Sequence, residues 1–431
     1  MMKLIKANES GIEAELEKVL TRSSFDDTDK LDVVSDVLDD IQVNGDEAVL
    51  KYTAKFDQVE LIAKDQLVCQ EEIEEAYQEV DEDFLAAIET AIANIEDFHQ
   101  RQKRESWMDV DDDGVMLGQV FRPLEKVGLY VPGGTAAYPS SVLMNGIPAK
   151  VAGVEEVIMV SPPGEGGKMN PYTLVAADKI DVDKIFKVGG AQAIGALSFG
   201  TEVIPKVDKI VGPGNIYVTL AKKLAYGYVD IDMLAGPSEV LVLADETAIP
   251  RHVAADLLSQ AEHDPMASSI LVTDSEELAT EVQKELEKQL AELSRKEIAG
   301  QAIEDYGAII LTDEFSEAIE ITNRFAAEHL EVAVENPFEV LGKIKNAGAI
   351  FLGHYSAEPI GDYIAGPNHV LPTGGSAKFY SPLNLDDFIK KSSVIYYSKE
   401  GLSKVKDKAI KLAEVEGLDA HANSVKVRFE D

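Results

Sequence analysis

Histidine, amide and carboxylate side chains gather in the second half of this chain, and their spacing decides which chemistry is open to them. In LLSQAEHDPMAS (257–268), Gln260 and His263 stand three residues apart at the end of an apolar helical run that stops at Asp264-Pro265. Residues at i and i+3 share one helix face about 5–6 Å apart, so the pair is spaced to hold a metal ion. The same pair also fits a solvated polar face, because Asp256, Gln260 and His263 run opposite Val253, Leu257 and Ala261. A glutamine is an uncommon zinc ligand, and both readings stay open on this stretch alone.

Five of the seven histidines lie at or beyond this point: His263, His329, His354, His369 and His421. Glu328-His329 reads as the end of a helical run, FAAEHLEV. Asp362 and His369 fall in GHYSAEPIGDYIAGPNHV, a loop dense in glycine and proline, and His421 follows Glu416 in EVEGLDAHANS. Each residue alone fits an ordinary cap or surface group. Together, so many ionisable side chains in irregular segments mark a place for chemistry.

The elements that must position these residues are legible from texture. From the start to about residue 102 the chain reads as charged amphipathic helices, with LIAKDQLVCQEE a candidate strand between them. From about 125 to 243, apolar strand-like runs alternate with glycine turns and helical runs, the pattern of a parallel sheet covered by helices. A second βα set follows, including a 250–263 helix and a long charged helix over 276–295. A lysine-bearing helical tail begins near 385 and ends in a strand-like SVKVRFE. The fold class is α/β, with two incomplete Rossmann-like parallel-sheet domains, a helical N-terminal arm and a C-terminal tail domain. The boundaries expected are 1–25 for the arm, 26–129 plus 240–384 for a substrate and metal domain, 130–239 for a nucleotide domain and 385–431 for the tail.

Three strand-to-helix turns are rich in glycine: Gly133-Gly134, Gly189-Gly190-Ala191-Gln192 and Gly212-Pro213-Gly214-Asn215. Helix N-termini at such turns offer free amides to phosphate. None of them is the GxGxxG fingerprint, and no acidic residue stands plainly at the ribose position, so a nucleotide site and plain tight turns both remain open.

Composition narrows the classes. The 431 residues carry 78 acidic against 40 basic side chains, a formal charge of −38, which repels nucleic acid and anionic membranes. That excess reads as a highly hydrated surface, and it also suits a salty cytoplasm in which screening relieves self-repulsion. No run of about 18 apolar residues is present, and the N-terminus lacks a signal-peptide pattern, so the expected location is cytoplasmic. The single cysteine, Cys69, excludes a disulfide and a thiolate cluster. It sits among acidic residues that disfavour its thiolate, and it is expected to be buried and structural.

The stretches GLYVPGGTAAYPSSVLMNGIPAKVAGV, GGAQAIGALSFGT, VGPGNIYVTLAKK, DMLAGPSEVLVLAD, QAEHDP, AAEHLE, DYIAGPNHVLPTGGSA and EGLDAHANS occur in this order. In these stretches the chain resembles the L-histidinol dehydrogenase family over nearly its whole length. The resemblance implies a two-step, four-electron oxidation of L-histidinol through L-histidinal to L-histidine with two NAD. It implies one zinc ion per subunit on Gln260, His263, Asp362 and His421, a catalytic pair Glu328 and His329, and substrate contacts from Ser238, His369 and Glu416 besides the zinc ligands and His329. Tyr130, Gln192 and Asn215 match the family's NAD contacts. A homodimer with shared active sites is implied, the tail carrying Glu416 and His421 to the partner. His99, His252 and His354 match no functional position. The alternatives are a zinc-dependent hydrolase on the same metal site, with Glu328 activating water, and a non-catalytic binding protein.

Overall fold

The computed structural model describes residues 2–7, 11–22, 28–133 and 137–430; Gly134 of the first glycine turn and parts of the N-terminal arm lie outside them. The chain forms two compact units, one of residues 1–102 and 124–388, the other of 103–123 and 389–431. The first unit opens with strand β1 (Lys3–Lys6) and helices α1 (Gly11–Thr21), α2 (Thr28–Phe56), α3 (Gln70–Glu79) and α4 (Glu82–Gln100). Strands β2 (Trp107–Val110) and β3 (Val115–Pro123) belong to the second unit. A βα alternation then runs β4 (Lys126–Tyr130), α5 (Pro139–Ala152), β5 (Glu156–Ser161), α6 (Pro171–Lys179), β6 (Lys184–Lys187), α7 (Gly190–Phe199), β7 (Lys209–Val211), α8 (Ile216–Ala225) and β8 (Asp230–Ile231). A second alternation follows: β9 (Glu239–Ala244), α9 (Pro250–Ala261), β10 (Ser268–Thr273), α10 (Glu276–Glu292), α11 (Lys296–Tyr306) and β11 (Gly307–Leu311). It continues through α12 (Phe315–Phe325), β12 (His329–Ala333), α13 (Pro337–Leu341), β13 (Ala349–Leu352) and α14 (Glu358–Tyr363). Strand β14 (Ile389–Tyr397), α15 (Lys399–Val415) and α16 (Asp419–Lys426) complete the second unit, in which β14 pairs antiparallel with β3.

Both sheets of the first unit are parallel and wound alike. The five-stranded sheet runs β6-β5-β4-β7-β8, so its first strand lies in the middle with the second and third on one side and the fourth and fifth on the other. The six-stranded sheet repeats that order as β11-β10-β9-β12-β13 and adds β1 outside β11. Strands so placed are covered on both faces, which is why β9 (EVLVLA) and β10 (SSILVT) are buried at every residue. Alternate side chains enter opposite cores. Leu129 and Met159 pack with Met144 and Ile147 of α5, whereas Ile158 and Val160 pack with Ile194 and Leu197 of α7. Each such fully buried side chain contributes about 1.5–3 kcal/mol.

The acidic N-terminal helices close the five-stranded layer. Val34, Val37, Leu38 and Ile41 of α2 join the α7 side, while Ile88, Ala91 and Ile95 of α4 join the α5 side. The α/β class with two parallel sheets is the one the sequence implies.

Several local expectations are corrected. SVKVRFE is not a strand: α16 and a 3₁₀ turn at Val427–Phe429 occupy it, with Asp419 in the first turn and Lys426 in the last, where they complement the helix dipole. The helix of FAAEHLEV stops at Phe325, because Ala326 turns left-handed at φ 51°, and His329 begins a strand. Within LIAKDQLVCQEE, Ala63–Gln66 forms a 3₁₀ turn and Leu67 makes one isolated bridge to Phe186. Lys3–Lys6, read as helical, instead gains a full register of strand partners on β11. Cys69 is exposed, not buried: it is the N-cap of the surface helix α3, its N–H donating to Glu72 Oε2 at 3.1 Å. Asp362 lies on the short helix α14, not in a loop.

Candidate active site

At the carboxyl edge of the five-stranded sheet the three glycine-rich turns line one wall of a cleft. Tyr130 ends β4, is nearly buried, and its hydroxyl accepts the Gly190 N–H at 3.1 Å. Burial pushes its pKa up to about 12, so the phenol stays neutral. Gly190 has φ 62° and Gly212 φ 113°; a Cβ at Gly212 would lie 2.1 Å from the Tyr130 carbonyl oxygen, so that turn admits only glycine. Lys222 of α8 braces it from below, its ammonium donating to the Gly212 carbonyl at 2.9 Å and to Asp232, whose other oxygen accepts the Gly212 N–H at 2.7 Å. Asn215 caps α8 by accepting from the Tyr217 and Val218 N–H groups through Oδ1, which leaves its amide NH₂ to other partners. Gln192, 1% exposed on α7, donates to Asp57 Oδ2 at 3.1 Å.

The opposite wall comes from the amino edge of the six-stranded sheet. Ser238 precedes β9, Glu328 precedes β12 and His329 begins it. Ligands of open α/β sheets ordinarily sit at carboxyl ends, so this half of the site is inverted. The inversion has an electrostatic consequence. Gln260 and His263 stand at the C-terminal end of α9, where the helix dipole is negative and favours a cation rather than a phosphate.

The catalytic candidates are tied to the main chain. Glu328 Oε2 accepts the Glu239 N–H at 2.9 Å, and the Glu328 N–H is 3.3 Å from Glu239 Oε2. Glu239 is itself held by a buried ion pair with Arg22 at 2.9 Å and by the Gly374 N–H. His329 Nδ1 lies 3.0 Å from the Glu239 carbonyl oxygen, which only accepts, so Nδ1 carries a proton and Nε2 faces its other neighbours. Those neighbours are Asp362 at 3.7 Å and Glu358 at 3.8 Å, both beyond hydrogen-bond length.

Burial opposes charge on His329, but Glu328, Asp362 and Glu358 outweigh it and lift its pKa to about 10. Burial, opposed by His329 and reinforced by Glu239, pushes Glu328 to about 8. Burial and the Asp362 charge raise Glu358 to about 7. Burial also works against the Asp362 carboxylate, yet His329 above all, with His369, holds it at about 2. His369 Nδ1 donates to the Asp362 carbonyl at 3.1 Å, and burial lowers its pKa. Enclosure by the cleft lowers His263 as well, although its ring is open to the cleft.

The cleft measures about 1370 Å³ and brings together Tyr130, Gln192, Asn215, Ser238, Gln260, His263, Glu328, His329, Asp362 and His369. Glu416 and His421 lie on the second unit and are exposed. Gln260 is 1% exposed, which excludes a solvated polar face, and its Oε1 is buried without a hydrogen-bond partner; so are His329 Nε2 and Glu358 Oε1. Donor atoms of His329, Glu358 and Asp362 lie within 4.8 Å of one another. The orphaned Gln260 oxygen and the ionised Asp362 fit a divalent cation, and the unpartnered His329 Nε2 is left to take a proton. Sequence reasoning missed Glu239, Glu358 and Asp57. Glu239 and Glu331 stand in the otherwise apolar runs of β9 and β12, a signal for Glu239; Glu358 and Asp57 carry no comparable signal.

The histidinol dehydrogenase family profile matches residues 20–429. The chain belongs to the histidinol dehydrogenase family. It is 61% identical over 412 residues to a histidinol dehydrogenase of Caldanaerobacter subterraneus subsp. tengcongensis, covering 96% of this chain and 95% of that one. It is 58% identical to one of Clostridium acetobutylicum, covering 95% and 94%. A crystal structure of histidinol dehydrogenase from Elizabethkingia anophelis superposes with a TM-score of 0.94 at 42% identity, covering all of this chain and 98% of that one. That enzyme therefore shares this double parallel-sheet architecture.

Proposed function

We propose that the cleft oxidises L-histidinol through L-histidinal to L-histidine, passing two hydrides in turn to two NAD molecules. Family membership implies the oxidation of histidinol to histidine with NAD as the acceptor. The observation that carries the residue roles is the pairing of Glu328 and His329 on the wall facing the amide-lined glycine turns.

In the first step the carbinol C–H bond breaks with its electron pair going to NAD, while the hydroxyl proton passes to His329 Nε2. The Nδ1–H bond to the Glu239 carbonyl fixes the tautomer this requires. In the second, water adds to the aldehyde as Glu328 takes its proton, and a second hydride leaves the hydrate to give the carboxylate. A base whose pKa burial lifts to about 8 suits that task, and the Glu239 N–H fixes one Glu328 oxygen and leaves the other to take the proton. Cys69 has no part in either step.

Gln260, His263, Asp362 and His421 would hold one zinc ion per subunit, with Ser238, His369 and Glu416 completing the substrate contacts. A bound divalent cation would orient the imidazole and amino nitrogens of the substrate and offset the carboxylate charge around His329. Residues 130–239 serve the cofactor, and 26–129 with 240–384 serve the substrate, except that α2 packs on the five-stranded sheet and brings Asp57 to the cofactor wall. The tail from 385 supplies Glu416 and His421 to the partner in a homodimer, in the cytoplasm. Among the described residues no helix is long and apolar enough to cross a membrane.

Mixing inactive His263→Ala and His421→Ala proteins after dissociation tests the shared site. Recovered activity in verified heterodimers is expected; none would place His421 in its own subunit's site. Zinc content near one per subunit, lost in Asp362→Ala, tests the ligand set, and full retention of zinc would contradict it.

A further inference from the structure

We infer that Asp57 is the carboxylate that grips the adenosine ribose 2′-hydroxyl of NAD and rejects the 2′-phosphorylated cofactor. This rests on the proposal that NAD lies along the carboxyl edge of the five-stranded sheet. In sheets with this strand order, an acidic residue near the end of the second strand binds the ribose 2′-hydroxyl. Here the second strand is β5, and it runs out into Ser161-Pro162-Pro163, which offers no acid. Pro162 instead wedges between the neighbouring turns: a Cβ on Gly133 or Gly189 would come within 2.6 Å or 2.4 Å of it. Glu165 follows two residues after Pro163, but it is exposed in a 3₁₀ turn and is not among the residues that line the cleft.

Asp57 enters from elsewhere. Helix α2 packs over α7, with Leu38 and Ile41 meeting Gly195, and its last turn closes with the Asp57 N–H on the Thr53 carbonyl at 2.9 Å. The next residue, Gln58, takes the left-handed conformation at φ 58°, uncommon outside glycine, and so turns the chain away once Asp57 has reached the cleft. Asp57 lines the cleft beside Tyr130, Gly190 and Gln192, on the β6 side of the first strand, the side that receives the adenosine half in this topology.

The polar groups there are short of donors. Gln192 gives its Nε2 hydrogen to Asp57 Oδ2, while its own Oε1 is buried without a partner. Burial raises Asp57 to about 6, with the Gln192 bond opposing the rise. With Oδ2 taken by the Gln192 amide, Asp57 Oδ1 is the acceptor left for a ribose hydroxyl. A 2′-phosphate would bring negative charge against the carboxylate and no donor for that oxygen.

The test is titration calorimetry of the intact protein with NAD, NADP and NAD lacking the adenosine 2′-hydroxyl, using Asp57→Asn, Asp57→Ser, Gln192→Ala and Asn215→Ala. Losing hydrogen bonds to a charged acceptor is expected to weaken NAD on the order of 10- to 100-fold in Asp57→Asn. The deoxy analogue should bind wild type and Asp57→Asn within about twofold of each other, and the preference for NAD over NADP should shrink. Unchanged NAD affinity in both Asp57 variants, with Asn215→Ala or Gln192→Ala impaired, would overturn the role of Asp57 alone. If all four variants bind NAD as wild type does, the cofactor position itself is wrong. An equal loss for NAD and its deoxy analogue would mean that Asp57 acts by holding Gln192, not by touching the ribose. Asp57→Ser keeps the test valid if Asp57→Asn does not fold.

Discussion

Glu328→Gln separates the two half-reactions. The amide keeps an oxygen for the Glu239 N–H and preserves the side-chain volume, so the buried main-chain bond survives while the charge is lost. Glu328 Oε2 is 3.7 Å from His329 Nδ1. At an effective dielectric near 20, that separation is worth about 4 kcal/mol of attraction to an imidazolium, roughly a thousandfold in proton affinity. In metal-free protein the His329 ring, lifted to about 10 in the wild type, is therefore expected to lose its proton far earlier in the variant, read by NMR of the imidazole nitrogens. In the metal-loaded enzyme, a single turnover with limiting histidinol should give the first NADH within an order of magnitude of the wild-type rate. The second should slow by about 10²–10⁴, the usual worth of a positioned base. Equal slowing of both NADH phases, or neither, would refute the division of labour. An unchanged His329 titration would refute the electrostatic argument on its own.

Lys222→Met strips the ammonium from a pair whose side chains are 3% and 1% exposed, leaving Asp232 charged in the core. The expected cost is about 3–5 kcal/mol in urea unfolding, and Lys222→Met with Asp232→Leu should recover part of it. NAD affinity should fall as pH drops through about 6, because Asp57 loses its charge there, with the Asp57→Asn titration flat over the same range; calorimetry at pH 5 and 7 decides it. His263→Ala should release zinc on dialysis, measured by elemental analysis, without changing NAD affinity, since His263 follows α9 beside the six-stranded sheet while the glycine turns belong to the five-stranded one.

The two sheets were legible because buried parallel strands leave near-continuous apolar runs, as in EVLVLAD and EEVIMVSPP. The helix through Gln260 was legible for a related reason: its apolar stripe repeats at helical spacing and Asp264-Pro265 ends it. What failed was local and short. AAEHLE reads equally as helix or strand, and the switch rests on one left-handed residue, Ala326, that no pattern announces. Cys69 was assigned to the interior from its usual preference, whereas its place at a helix start is set by the Glu72 bond to its own N–H. Asp57 and Glu358 were invisible because their meaning lies in long-range approach: Asp57 reaches Gln192 across 135 residues, and Glu358 meets Ser259 across 99. The position of the zinc and NAD candidates on facing edges of two sheets is likewise a tertiary fact. Spacing within one helix pointed to Gln260 and His263 together, and nothing in spacing could add Asp362.

The central claim is a four-electron oxidation in one cleft. Its most direct test is the number of NADH formed per L-histidinol consumed by zinc-loaded protein with substrate limiting. Two NADH and one histidine, abolished by a chelator and restored by zinc, is the predicted result. One NADH with histidinal accumulating would confine the chemistry to alcohol oxidation and remove the water-activating role from Glu328, and none would contradict the account as a whole.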